Sequence, residues 1–178
     1  MIKQVIVSGI LSSALMAAGP YVGLDMGRVN VDYKASGASK SSVDDTGVTV
    51  KGGYYFNQNN RVYGFYQYVD PNTENATFKQ YGLGYDYLIG TSSLKPFVGA
   101  MVGRAISKVD NINNKFDISG TLVGVQAGVN YSFNSNVSIE AGYRYLDYAG
   151  ADAYESVDGV TVEATSAQNW FAGLNFKF

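Results

Sequence analysis

The residues able to do chemistry are few, and the most versatile types are missing. The 178-residue chain contains no His and no Cys. General acid–base work near neutral pH most readily uses His, and thiolates supply both nucleophiles and soft metal ligands. Six charged residues remain at positions that read as one face of extended segments: Asp25, Lys51, Asp86, Glu140, Arg144 and Lys177. A Ser–Lys or carboxylate-pair mechanism would need further groups around them, and no motif supplies these. Gly82-Leu83-Gly84 runs into more alternating sequence rather than a helix, so it is no dinucleotide fingerprint. The acidic stretch Asp152, Glu155, Asp158 and Glu163 lacks the D-x-D-x-D-G spacing of a calcium loop. No catalytic, cofactor or metal residue is therefore assigned. The six charges, three acidic and three basic, are expected to pair as a structural network, because isolated buried charges are very costly.

The elements that must position them alternate with a period of two. Val123, Val125, Ala127, Val129, Tyr131 and Phe133 interleave with Gly124, Gln126, Gly128, Asn130 and Ser132. Val48, Val50, Gly52, Tyr54 and Phe56 interleave with Thr49, Lys51, Gly53 and Tyr55. Such alternation places one set on each face of a strand. Turn signals divide the chain into eight predicted strands, approximately 20–33, 46–56, 61–70, 77–89, 94–106, 120–133, 137–148 and 164–178. Three connections are short (57–60, 90–93, 134–136) and four are longer (34–45, 71–76, 107–119, 149–163). Long and short alternate throughout, as in an outer-membrane barrel with short periplasmic turns and long external loops.

Two rings of aromatics are expected at the ends of the strands. Tyr54, Phe56, Tyr63, Tyr85, Tyr87, Tyr131, Phe133, Phe176 and Phe178 fall toward the short turns. Tyr66, Tyr68, Tyr81, Tyr143, Tyr145 and Trp170 fall toward the long loops. Interfacial belts favour this arrangement. The apolar set should then face lipid, with the small and polar set filling the lumen. Residues 1–18, with Lys3 ahead of an apolar run and small residues at Ala17-Ala18, read as a secretory signal, leaving 19–178 as one barrel domain. The net charge of -2 gives no basic footprint for nucleic acid.

Two segments share the pattern P-[YF]-V-G-x-x-x-G-R, one starting at Pro20 and the other at Pro96. Together with SIEAGYRYLDY and the closing WFAGLNFKF, they resemble outer-membrane β-barrels of the opacity-type and small OmpA/OmpX-like families. The resemblance implies an all-β, eight-stranded antiparallel up-and-down transmembrane β-barrel in the outer membrane of a Gram-negative cell, with both termini periplasmic. It also implies a non-enzymatic envelope role in which surface loops mediate adhesion or contact; a narrow channel for ions or small solutes is the alternative. The implied partners are outer-membrane lipid and lipopolysaccharide, toward which Arg28 and Arg104 could point, and the barrel assembly machinery. No cofactor is expected, and a monomer is. The alternation of Trp170, Leu174, Phe176 and Phe178 resembles the terminal signal that this machinery reads. Replacing both Phe176 and Phe178 with Ser should leave the protein unassembled, seen as loss of the heat-modifiable gel shift. Normal insertion of that variant would remove the terminal strand from its assigned role.

Overall fold

The computed structural model describes residues 18–35, 41–69, 76–111, 114–149, 154–155 and 161–178. Residues 1–17 of the expected signal, and Asp152 and Asp158 of the acidic stretch, lie outside the described residues. Eight long strands carry the fold: β1 (Gly19–Ala35), β2 (Ser41–Asn57), β3 (Asn60–Val69), β4 (Ala76–Leu88), β5 (Leu94–Asn111), β6 (Asn114–Ser132), β7 (Val137–Ala149) and β8 (Thr161–Lys177). Each pairs antiparallel with the next, and β1 pairs with β8, so the sheet closes. A two-residue segment, Tyr154–Glu155, adds to the outer end of β8.

Closure carries a fixed stagger. Following the register from Val22 through Gly52, Gly64, Leu83, Val102, Val123, Asp147 and Ser166 returns to β1 at Asp32, ten residues along the same strand. A stagger of this size tilts the strands by roughly 40° and leaves a lumen that side chains can fill.

The two faces separate as the alternation requires. Leu24, Val50, Leu83, Val102, Val125 and Leu174 point outward and are more than half exposed to the surroundings of the barrel. A large apolar outer surface signals a membrane or another protein, and its band is bordered by exposed aromatics at both ends. Tyr54, Phe56, Tyr85, Tyr87, Tyr131, Phe133, Phe176 and Phe178 form the short-turn belt; Tyr66, Tyr68, Tyr81, Tyr145 and Trp170 form the other. Tyr143 is half-buried, packed against Trp170 with ring centroids 4.8 Å apart.

Three features differ from the sequence reading. Tyr63 does not join the belt; it is 2% exposed and points into the lumen. The expected loops 34–45 and 107–119 are largely strand, with β5 and β6 still paired at Asn111 and Asn114. Nor is the lumen filled only by small and polar groups. Toward the long-loop end, Val29, Val31, Val69, Phe78, Leu122, Leu146, Tyr148 and Ala167 are all buried and form an apolar storey. The sequence reading missed this layer because the polarity of the alternation inverts there: Val29 and Val31 point inward while Arg28 and Asn30 stand on the outer face, and buried Ala167 lies between Ser166 and Gln168.

The chain has no Cys, so single cysteines can report on each face. A spin label on Leu83→Cys should be relaxed strongly by oxygen dissolved in lipid. The thiol of Leu122→Cys should resist water-soluble reagents in the folded barrel and react after denaturation. Rapid modification of the folded Leu122→Cys protein would show that the apolar storey does not seal the lumen.

Candidate functional site

Below the apolar storey the inward residues become charged. Asp25 on β1, Lys51 on β2, Arg61 on β3, Asp86 on β4 and both Glu140 and Arg144 on β7 are 0–3% exposed. Each occupies an inward position in its strand, so closure of the barrel brings them together. Five of the six charged residues singled out from sequence meet here. Lys177 is placed instead at the short-turn mouth, its ammonium 5.9 Å from the centre of the Tyr55 ring.

The contacts form a circuit. The Lys51 ammonium lies between two carboxylates, 2.8 Å from Asp25 Oδ1 and in direct contact with Glu140. Arg61 joins Glu140 to Asp86, with its Nη2 2.8 Å from Glu140 Oε2 and 2.7 Å from Asp86 Oδ2. Gln126 on β6 donates to Asp86 Oδ1 at 2.7 Å and accepts from Arg144 Nε at 3.0 Å. Arg144 returns to Asp25 at 3.4 Å. Three cations and three carboxylates thus balance in one ring, with an uncharged amide as the seventh member. Gln126 suits that place because an amide offers a donor to the anion and an acceptor to the cation. Asn175 on β8 also donates to Glu140 Oε2, at 2.8 Å.

Aromatic rings surround the cations. The Arg61 guanidinium lies 5.4–5.9 Å from the ring centres of Phe97, Tyr63, Tyr55 and Tyr21. Arg144 sits 4.6 Å from the centre of Phe171. A desolvated cation beside ring faces gains attraction without another hydrogen bond. Glycine makes room for the anions. A Cβ at Gly99 would collide with the Asp86 carboxylate, and one at Gly173 with that of Asp25. Gly99 belongs to the second copy of the P-[YF]-V-G pattern, so this close approach accounts for one glycine of the repeat.

Arg61 is the member that sequence reasoning missed, and Gln126, read as lumen-facing, was not assigned to the network. On β3, Arg61, Tyr63, Phe65 and Gln67 alternate with Val62, Gly64, Tyr66 and Tyr68, and aromatics stand on both faces. The usable signal is the turn register: Tyr55 lies opposite Arg61, so both point inward. The arrangement contains ion pairs and amides; no group of three or more His, Cys, Asp or Glu among the described residues is placed to hold a metal ion. What it can do chemically is join strands through buried charge. The terminal-strand residues Trp170, Leu174, Phe176 and Phe178 all face outward. Arg104 and Arg28 are both exposed, and Arg28 stands 3.6 Å from Asp44 at the barrel's outer end.

A closed eight-stranded barrel with an apolar outer band defines the class of protein. Residues 5–178 match the outer membrane protein beta-barrel domain family, and the chain belongs to that family. Among solved structures it is similar to Neisserial surface protein A, with 25% identity and a TM-score of 0.69 over 90% of this chain and 99% of that one. The N-terminal barrel of OprF from Pseudomonas aeruginosa shares the fold at 16% identity and a TM-score of 0.59, again over 90% of this chain and 99% of that one. Ail, the attachment invasion locus protein of Yersinia pestis, shares it at 18% identity and a TM-score of 0.58, with the same coverage. No match was found among curated protein sequences.

The circuit gives an order of stabilities. Arg61 serves two carboxylates at short range, so Arg61→Ala leaves both short of a partner and should cost about 3–5 kcal/mol. Arg144 has one longer ion pair and one amide contact, and Arg144→Ala should cost less. Urea unfolding of the barrel in lipid vesicles measures both. An Arg144→Ala loss larger than that of Arg61→Ala would show that the two-carboxylate bridge is not the main tie.

Proposed function

We propose that the protein is a non-enzymatic structural barrel of the outer membrane whose outer hairpins make contacts at the cell surface. The short turns and both termini lie on the periplasmic side in this reading, and the tall hairpins lie outside. One observation carries it: the lumen is packed with buried side chains from the charge circuit to the long-loop end, while the chain extends its strands beyond the lipid-facing band. Below lies the charge circuit; above it lies a storey of buried, mostly apolar side chains, with Gln80 donating to Tyr148 at 2.7 Å. That filling weighs against the narrow channel.

Among the described residues, the outer parts of the β1–β2 and β5–β6 hairpins are ordered ladders. β1 and β2 remain paired from Arg28 and Thr46 up to Tyr33 and Ser41, and β5 and β6 up to Asn111 and Asn114. The pairing of β6 with β7 ends at Thr121 and Ala149. Among the described residues, the outer part of β6 is therefore paired through β5 alone. A stiff ladder on a cross-linked barrel presents side chains at low cost in conformational entropy, which favours binding. The similarity to a protein described as a Neisserial surface protein supports the same placement. Lipopolysaccharide would contact the exposed Arg104 at the outer belt, since guanidinium groups suit phosphate. The outward alternation of the last strand supports its recognition by the assembly machinery. A single chain already closes the sheet, which supports a monomer.

Replacing residues 107–119 with a two-residue turn should leave assembly intact, judged by the heat-modifiable gel shift, while abolishing binding of the bacteria to surfaces or cells. A tag inserted at Tyr154 should be reached by antibody on intact cells, and one at Gln58 should not. Steady single-channel conductance of the purified protein in a planar bilayer, or antibody access to Gln58 without permeabilisation, would overturn the proposal.

A further inference from the structure

At the short-turn end the lumen opens into a cavity of about 140 Å³, separate from the charge circuit. Two lysines line it, Lys95 and Lys177, and no Asp or Glu is among its lining residues. Lys95 is only 9% exposed, and its ammonium donates to the Gln58 carbonyl at 2.8 Å. Lys177 lies across the opening, over the Tyr55 ring. The remaining polar wall consists of amides and hydroxyls, including Asn130, Ser132 and Ser138.

The floor separates this cavity from the nearest carboxylate. Asn130 and Asn175 donate to Glu140 Oε2 at 3.5 and 2.8 Å, and Glu140 is itself engaged by Lys51 and Arg61. The carboxylate behind the floor is engaged by Lys51 and Arg61, and the wall of the cavity carries two ammonium groups beside neutral amides and hydroxyls. We propose that this vestibule binds a compact oxyanion, a phosphate or a carboxylate, between Lys95 and Lys177. An ammonium is a compact charge with three rotatable donors, which suits either ion. The volume suffices for such an ion with a few waters, each taking about 30 Å³ of liquid volume. The site is blind, because its inner wall abuts the charge circuit. It binds without transport and stands independently of the surface-contact reading.

The test uses the whole barrel in detergent micelles, with its lysines reductively methylated with carbon-13 and followed by NMR. Inorganic phosphate and acetate are titrated separately at constant ionic strength, with chloride as the control. The expected result is saturable movement of the Lys95 and Lys177 signals together, absent with chloride. Lys95→Met should weaken binding about tenfold or more, as loss of a charge-assisted hydrogen bond does. Lys177→Gln, at the open rim and tolerant of change, should weaken it as well and guards against a folding defect in the first variant. Stronger response to phosphate identifies a phosphorylated ligand, and stronger response to acetate a carboxylate such as a peptide terminus. Movement that follows total salt without saturating, or binding unchanged in both variants, overturns the site.

Discussion

Hydrocarbon offers a backbone no hydrogen bonds, and this one constraint dictates the architecture. An unpaired N–H or C=O in lipid costs several kcal/mol, so a sheet that spans a membrane must have no free edge. Here the final strand bonds to the first from Tyr21 and Lys177 to Ala35 and Val162, and the ladder is complete across the lipid-facing band. Closing eight strands forces a definite stagger and tilt, and those decide which inward side chains meet. The aromatic belts, the glycine gaps and the charge circuit all take their positions from that closure.

The circuit follows from a second electrostatic constraint. A charge in a lumen without bulk water survives only with a partner and with its other hydrogen-bonding positions filled. Glu140 meets both conditions through Lys51, Arg61 and Asn175, while Asp86 does so through Arg61 and Gln126. Such networks are not automatically stabilising, since apolar packing can match them. Their distinctive property is that they are satisfied at one register only. A one-residue slip of any contributing strand would turn its charge toward lipid. In this barrel the circuit therefore specifies the alignment of the strands as much as it strengthens their association.

The two storeys of the lumen divide the work. Charge pairs and amides join six strands near the centre, and Asn175 adds β8 through Glu140. The storey above buries mostly apolar side chains, and ion pairs in a low-dielectric setting are stronger than in water. A rigid, filled body can then support strands that continue beyond it. The extended β5–β6 hairpin is a direct continuation of barrel ladders, so its orientation is inherited from the membrane-spanning part.

Much of this was legible in the residues themselves. The eight strands, the lipid-facing set and most of the belt aromatics are local properties. Each depends on a period of two or on turn chemistry within a few positions, and lipid reinforces the pattern by selecting one face. Asp25, Lys51, Asp86, Glu140 and Arg144 could be assigned inward for the same reason. Tertiary structure decided which of them touch. Asp25 and Arg144 are 119 positions apart, and Lys51 and Glu140 are 89 apart. Their meeting depends on the accumulated stagger of the strands, which no local pattern encodes. Arg61 and Tyr63 were hidden because β3 carries aromatics on both faces, and the apolar storey was hidden because the inward set turns apolar there while its outward neighbours, such as Arg28 and Asn30, turn polar. Alternation tells that two faces differ; only closure tells what each face meets.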